Sequence, residues 1–129
     1  MKAQVFKSFV AVLVFIQMVS CQDKANTDMA IEQIDKNYVE TQLLHEKDAQ
    51  LIDVRTSMEF KAGHIGNAQN IDFLQRDTFK TKIEKLDRDK PVYLYCKMGG
   101  RSHKAAILLQ EMGFKKVYDY SGGYDDWSK

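Results

Sequence analysis

An α/β fold with a mainly parallel central sheet is what this sequence predicts, and three observations carry the prediction. Short apolar runs alternate with segments of helical periodicity from about residue 30 onward, the pattern of repeated strand–helix units. The run Val92-Tyr93-Leu94-Tyr95 is apolar throughout and reads as a buried strand. A turn containing Gly99 and Gly100 separates it from Ala105, Leu108, Leu109 and Met112, which recur at the i, i+3, i+4, i+7 spacing of one helix face.

The elements follow in order. Ile31 to Ile34 is a short first strand, and Val39, Leu43 and Leu44 predict an amphipathic helix from about Asn37 to Glu46. Gln50 to Val54 is a buried strand. Thr56-Ser57-Met58-Glu59 has the form of a capping box, with Thr56 at the N-cap and Glu59 at N3, so a helix starts there and ends at Gly63. Ala68 to Ile71 is another strand. Phe79, Ile83 and Leu86 mark a helix from about Asp77 to Leu86, and Pro91 to Tyr95 is the strand that precedes the glycine turn. Ser102 is the expected N-cap of the next helix, which Gly113 closes. Lys116 to Tyr118 is the last strand, and Tyr124 to Ser128 a final helical turn.

Composition bounds the function. A chain of 129 residues with 44% hydrophobic residues is one domain and a short extra segment. A formal charge of +1 gives no large attraction to nucleic acid, so no nucleic-acid partner is expected. The three histidines, His45, His64 and His103, are scattered and show no metal-ligand spacing; no metal is expected. Lys80, Lys82, Lys85 and Lys90 are interleaved with acids and read as a solvated face.

Residues 1–20 read as a targeting segment. Lys2 and Lys7 precede the apolar run 9–16, a basic n-region followed by an h-region too short to span a bilayer comfortably. The end, Met18-Val19-Ser20-Cys21, is similar to a bacterial lipoprotein cleavage box, with Met18 in place of the usual leucine. That likeness implies lipidation of Cys21, with residues 21–29 as a polar tether and residues 30–129 as the folded domain. The protein is then expected to be exported and anchored by lipid to a membrane surface on the periplasmic side of the cell envelope.

Cys96 leaves the end of a strand, crosses a tight turn and enters a helix. Ligands of parallel sheets sit beyond the carboxyl ends of the strands, where Cys96 falls. The turn aims N–H groups and the positive end of the helix dipole at its centre, which stabilises a thiolate there. Gly99 and Gly100 let the backbone curl, and Arg101 adds a fixed charge.

The loop Cys96-Lys97-Met98-Gly99-Gly100-Arg101-Ser102 resembles the active-site loop of the rhodanese family of sulfurtransferases. Further matches occur in the right order: Asp53-Val54-Arg55 at a strand end, Glu59-Phe60-Lys61-Ala62-Gly63-His64-Ile65, Ala68-Gln69-Asn70-Ile71, and Gly122-Gly123 followed by Trp127. Gly66-Asn67 stands where that family usually has Pro-Gly, a change that keeps turn-forming residues.

The resemblance implies a three-layer rhodanese-like domain and a transferase with no cofactor beyond its own persulfide. The Cys96 thiolate takes the outer sulfur of a small donor, thiosulfate or a persulfide, and passes it to a thiol acceptor. Residues 97 to 101 surround that sulfur with N–H donors. Lys97 is the expected cation at the mouth, with Met98 beside it and Arg101 behind. Arg101 either contacts substrate or holds the loop. The family's phosphatase relatives have one more residue between Cys and Arg, and the shorter spacing from Cys96 to Arg101 favours sulfur over phosphate chemistry. Asp53 and Arg55 support neighbouring loops, with Arg55 also a candidate rim contact. His64 makes a structural hydrogen bond, Glu59 caps Thr56, and Trp127 packs with Tyr124. The alternatives are a sulfur carrier and a partner-binding module with little turnover on thiosulfate. A monomer is the default expectation.

Overall fold

The computed structural model describes residues 30–129. The targeting segment and Cys21 lie outside the described residues.

Five strands form one fully parallel sheet: β1 (Ile31–Ile34), β2 (Gln50–Asp53), β3 (Gln69–Asn70), β4 (Val92–Tyr95) and β5 (Val117–Tyr120), in the order β1-β5-β4-β2-β3. Among the described residues five helices accompany them, four in the strand connections and α5 after β5: α1 (Lys36–Thr41), α2 (Ser57–Ala62), α3 (Arg76–Ile83), α4 (Gly100–Glu111) and α5 (Gly123–Trp127).

Alternation along the strands divides the core into two layers. Ile52, Leu94 and Val117 face one way, against Phe79 and Ile83 of α3 and Ala105 and Leu109 of α4. Leu51, Tyr93, Tyr95 and Tyr120 face the other, with Val39 of α1, Ile65, and the half-buried Phe60, Tyr124 and Trp127. The result is the expected three-layer α/β architecture. All four residues of β4 are buried because it is the central strand and has helices on both faces.

Most departures from the sequence reading lie at element ends. The helix expected over 37–46 stops at Thr41, and a 3-10 turn follows over Leu43–His45. Leu43 is thereby buried while Leu44 stays 39% exposed, so Leu44 is no part of the apolar stripe. Beyond α3 the amides of Lys85 and Leu86 bond three residues back, a tightened tail rather than a continued helix. β5 begins one residue later than expected and runs to Tyr120, because β1 and β4 both pair along it. The helix after the glycine turn starts at Gly100, with Gly99 at its N-cap. Ser102 is therefore not the cap but sits inside the first turn.

The expected capping box at Thr56 and Glu59 is formed, and Gly63 ends α2. The Gly66-Asn67 turn is kept, with Gly66 at φ 48°. Among the described residues no helix is long and apolar enough to cross a membrane.

Candidate active site

β4 delivers Cys96 to the carboxyl edge of the sheet, where the chain turns into α4. The Cys96 side chain is 1% exposed. It forms the floor of an open cavity of about 330 Å³ lined also by Lys97, Met98, Gly100, Arg101 and Lys104. A larger depression of about 600 Å³ lies at the opposite end of the sheet, along Ala30 to Gln33 and Lys115 to Tyr118. It sits at the amino ends of β1 and β5, away from the edge where parallel sheets place ligands.

The sulfur is held from two sides. The Gly99 N–H donates to Cys96 Sγ at 3.0 Å. Cys96 Sγ in turn donates to Ser102 Oγ at 3.5 Å, and the Ser102 hydroxyl donates to the Gly99 carbonyl at 3.2 Å. Ser102, expected as a cap, thus acts as a fully buried polar neighbour of the cysteine.

Two glycines make this curl feasible. Gly99 has φ 95°, and a Cβ there would lie 2.6 Å from the Ser121 carbonyl oxygen. Gly123 has φ 64°, and its Cβ would lie 2.5 and 2.6 Å from the carbonyl oxygens of Lys97 and Cys96. That close approach lets the start of α5 grip the loop. Tyr124 N–H donates to the Cys96 carbonyl at 2.8 Å, and Asp125 N–H to the Lys97 carbonyl at 3.1 Å.

Arg101 holds the loop from the other side. Its Nη1 and Nη2 donate to Oε2 and Oε1 of Glu59 at 2.7 and 2.9 Å. The Arg101 guanidinium pulls the Glu59 carboxyl down to about 2, with the Thr56 bonds adding to the effect. Glu59 is thus both capping partner of Thr56 and anchor of Arg101. Arg101 still lines the cavity, but its two terminal nitrogens are engaged in holding the loop to α2.

Asp53 and Arg55 support the site from beneath. Arg55 Nη2 donates to Asp53 Oδ2 at 2.7 Å and to the Gly63 carbonyl at 2.6 Å, and its guanidinium lies 4.2 Å from the Tyr124 ring centre. Burial works against the charge on Arg55, yet the hydrogen bond and field of Asp53 hold its pKa above the ordinary value. Arg55 is 3% exposed, which overturns its candidacy as a rim contact. His64 stacks on Phe60, and its Nδ1 lies 3.1 Å from the Phe60 carbonyl oxygen, the structural role expected of it.

Lys97 is not the free cation at the mouth. Its Nζ donates to both carboxylate oxygens of Asp125, at 2.7 and 2.8 Å. Lys104 lines the same cavity and, among the described residues, makes no salt bridge. Sequence reasoning missed Lys104 because it placed the helix start too late. With Gly100 as the first helical residue, Lys104 stands one turn further on, above the loop. No group of three or more metal-ligating side chains occurs among the described residues.

The geometry can present the Cys96 sulfur, at the floor of this open cavity, to a small ligand entering from solvent. The Rhodanese-like domain model matches residues 37–129. An uncharacterized protein of Bacillus subtilis is 43% identical over 81 residues, covering 63% of this chain and 62% of its own length. The thiosulfate sulfurtransferase GlpE of Coxiella burnetii is 35% identical over 86 residues, covering 67% of this chain and 78% of that protein. Among solved structures, a rhodanese-like domain protein from Staphylococcus aureus superposes with a TM-score of 0.66 at 29% identity, covering 75% of this chain and 91% of the other.

Proposed function

Because this chain belongs to the rhodanese-like domain family, we propose that it is a sulfurtransferase that carries sulfur as a persulfide on Cys96. The observation that supports this most directly is the 3.0 Å hydrogen bond from the Gly99 N–H to Cys96 Sγ. A donor N–H aimed at sulfur stabilises negative charge there.

In the proposed cycle the Cys96 thiolate attacks the outer sulfur of thiosulfate. A new S–S bond forms, the donor's S–S bond breaks, and sulfite leaves with the electron pair. The anionic terminal sulfur of the persulfide then rests in the cavity above Cys96. A thiolate acceptor, or cyanide in an assay, attacks that sulfur and restores the Cys96 thiolate. Thiosulfate and sulfite are both dianions, so a cation at the mouth helps entry and departure. Lys104 fills that role better than Lys97, whose charge is balanced by Asp125.

A second reading, a sulfur carrier or partner-binding module with little turnover on thiosulfate, draws on the same Lys97–Asp125 pair. Neutralising one of the two lysines leaves the mouth less attractive to a dianion. The location is also part of the proposal: residues 1–20 direct export, and lipidated Cys21 tethers the domain to a membrane surface. Labelling with a fatty-acid analogue during bacterial expression tests this, with loss of label expected in Cys21→Ser.

The deciding experiment is thiocyanate production from thiosulfate and cyanide, with intact mass recorded alongside. Turnover with a gain of one sulfur, both abolished in Cys96→Ala, establishes the enzyme. A mass gain without turnover identifies the carrier. Absence of both turnover and mass gain rejects thiosulfate as the donor.

A further inference from the structure

We infer that Asp125 is a positioning residue that sets which sulfur donors the Cys96 cavity admits: by holding Lys97 it disfavours dianionic thiosulfate and leaves a mouth suited to donors that carry a single negative charge. The inference rests on the sulfur-transfer reading above. Three side-chain cations line the cavity, Lys97, Arg101 and Lys104. Both terminal nitrogens of Arg101 are engaged by Glu59. Lys97 Nζ donates to both carboxylate oxygens of Asp125, at 2.7 and 2.8 Å. Lys104 takes part in no salt bridge among the described residues. Two of the three cations are therefore matched by a carboxylate, and one side-chain charge is left to meet an incoming anion.

The Lys97–Asp125 pair is more than a meeting of two free surface side chains, which is worth little on its own. The Asp125 N–H also donates to the Lys97 carbonyl at 3.1 Å, and the Tyr124 N–H to the Cys96 carbonyl at 2.8 Å. Backbone and side chain thus join the same two residues in a ring. A Cβ on Gly123 would lie 2.5 Å from the Lys97 carbonyl oxygen, so the start of α5 lies flush on the loop. The fold sets the Asp125 carboxylate beside Lys97, and little freedom of its short side chain is lost in holding the ammonium. Asp126, next in the chain, takes a different partner and accepts from the Tyr120 hydroxyl at 2.6 Å. Asp125 is not itself among the residues lining the cavity; it acts on a ligand through Lys97, whose charge it balances.

Donors differ in what this balance costs them. With each, the Cys96 thiolate attacks the outer sulfur, a new S–S bond forms and the donor's own S–S bond breaks. Thiosulfate arrives with two negative charges, and sulfite leaves with two, taking the electron pair. A thiosulfonate anion arrives with one negative charge, and a sulfinate leaves with one, taking the pair. An organic persulfide anion likewise arrives with one and releases a thiolate. Withdrawing one positive charge from the mouth weakens the encounter with a dianion more than that with a monoanion. The class favoured is therefore the organic donor whose leaving group carries one charge.

The test compares thiosulfate with methanethiosulfonate, which presents an outer sulfur in the same way with one charge fewer, in steady-state kinetics of the full-length protein with cyanide as acceptor. Asp125→Asn is expected to raise kcat/KM for thiosulfate relative to methanethiosulfonate about fivefold, through KM, and the gain is expected to shrink at high salt. Adding Lys97→Ala is expected to bring the ratio back to within about twofold of the native value. An unmoved ratio in Asp125→Asn overturns the inference, and so does a gain that survives without Lys97, which would mean a direct effect of Asp125 on the donor. The backbone bond from residue 125 to the Lys97 carbonyl does not depend on the side chain; if Asp125→Asn nonetheless fails to fold, Asp125→Ser carries the same expectations. A second readout needs no turnover. In a Cys21→Ser background, where Cys96 is the single thiol, alkylation by anionic iodoacetate relative to neutral iodoacetamide is expected to speed up about threefold in Asp125→Asn and to fall back with Lys97→Ala. An unchanged alkylation ratio overturns the inference. If that ratio shifts while the native protein transfers sulfur from neither donor, the sulfur-transfer reading is rejected and the control of the mouth's charge by Asp125 stands.

Discussion

Arg101 and Glu59, 42 residues apart in sequence, meet in a two-pronged ion pair with distances of 2.7 and 2.9 Å. The pair ties the loop after Cys96 to the first turn of α2. Glu59 also closes the capping box with Thr56, so one carboxylate orders a helix start and the loop after Cys96 together. Glu59→Gln should destabilise the domain by about 1–2 kcal/mol, the scale of a charge-assisted bond discounted for its partial exposure. Thermal unfolding at neutral pH measures it. Arg101→Lys should retain less than half of this stabilisation, because an ammonium cannot make the planar paired contact.

The same pair predicts acid behaviour. The folded Glu59 pKa is about 2, below its ordinary value of 4.5. Its stabilisation is complete above about pH 4.5 and is lost as pH falls toward 2. Unfolding of the native protein and of Glu59→Gln by urea at pH 7, 4 and 2.5 should therefore converge at the lowest pH. Parallel curves with a constant gap would rule this out.

Gly123 and Gly100 offer a contrast. A Cβ on Gly123 would collide with two backbone carbonyls at a φ of 64°, whereas one on Gly100 meets nothing within 4 Å. Gly123→Ala should cost about 2–4 kcal/mol and slow sulfur transfer, since the loop carbonyls must move. Gly100→Ala should be neutral or stabilise by up to about 1 kcal/mol. Equal effects of the two substitutions would sink the packing argument.

Lys104 and Lys97 separate in the same way. Lys104→Ala should raise the KM for thiosulfate about fivefold, an effect that shrinks at high salt as screening replaces it. Lys97→Ala should change KM by less than about twofold, because Asp125 already balances that charge. Steady-state kinetics at low and high ionic strength decide between the two lysines.

Asp53→Asn leaves the buried Arg55 guanidinium without its counter-charge, which should cost about 3–5 kcal/mol. Equilibrium unfolding measures the loss.

Much of this molecule was legible along the chain. The apolar run ending at Tyr95, the two glycines and the helical spacing from Ala105 to Met112 are local signals, and they located the loop. Thr56 and Glu59 announced a helix start three residues apart. Helix and strand ends were less legible. Whether Leu44 continues a helix or Lys116 starts a strand depends on which neighbours pair or pack there.

The sequence by itself determined the α/β class, the order of elements, the position of the candidate nucleophile at a strand end and the loop spacing from Cys96 to Arg101. Each follows from period, turn chemistry or residue order over a few positions. Only the tertiary structure decided what each charged side chain does. Arg101 meets Glu59, Lys97 meets Asp125, Arg55 is buried on Asp53, and Ser102 turns inward to the sulfur. For Arg101 with Glu59 and Lys97 with Asp125 the partners are brought together by the parallel sheet and its crossings, from positions far apart in the chain. Their strength depends on burial and on a few ångströms of separation, and neither is written in local sequence.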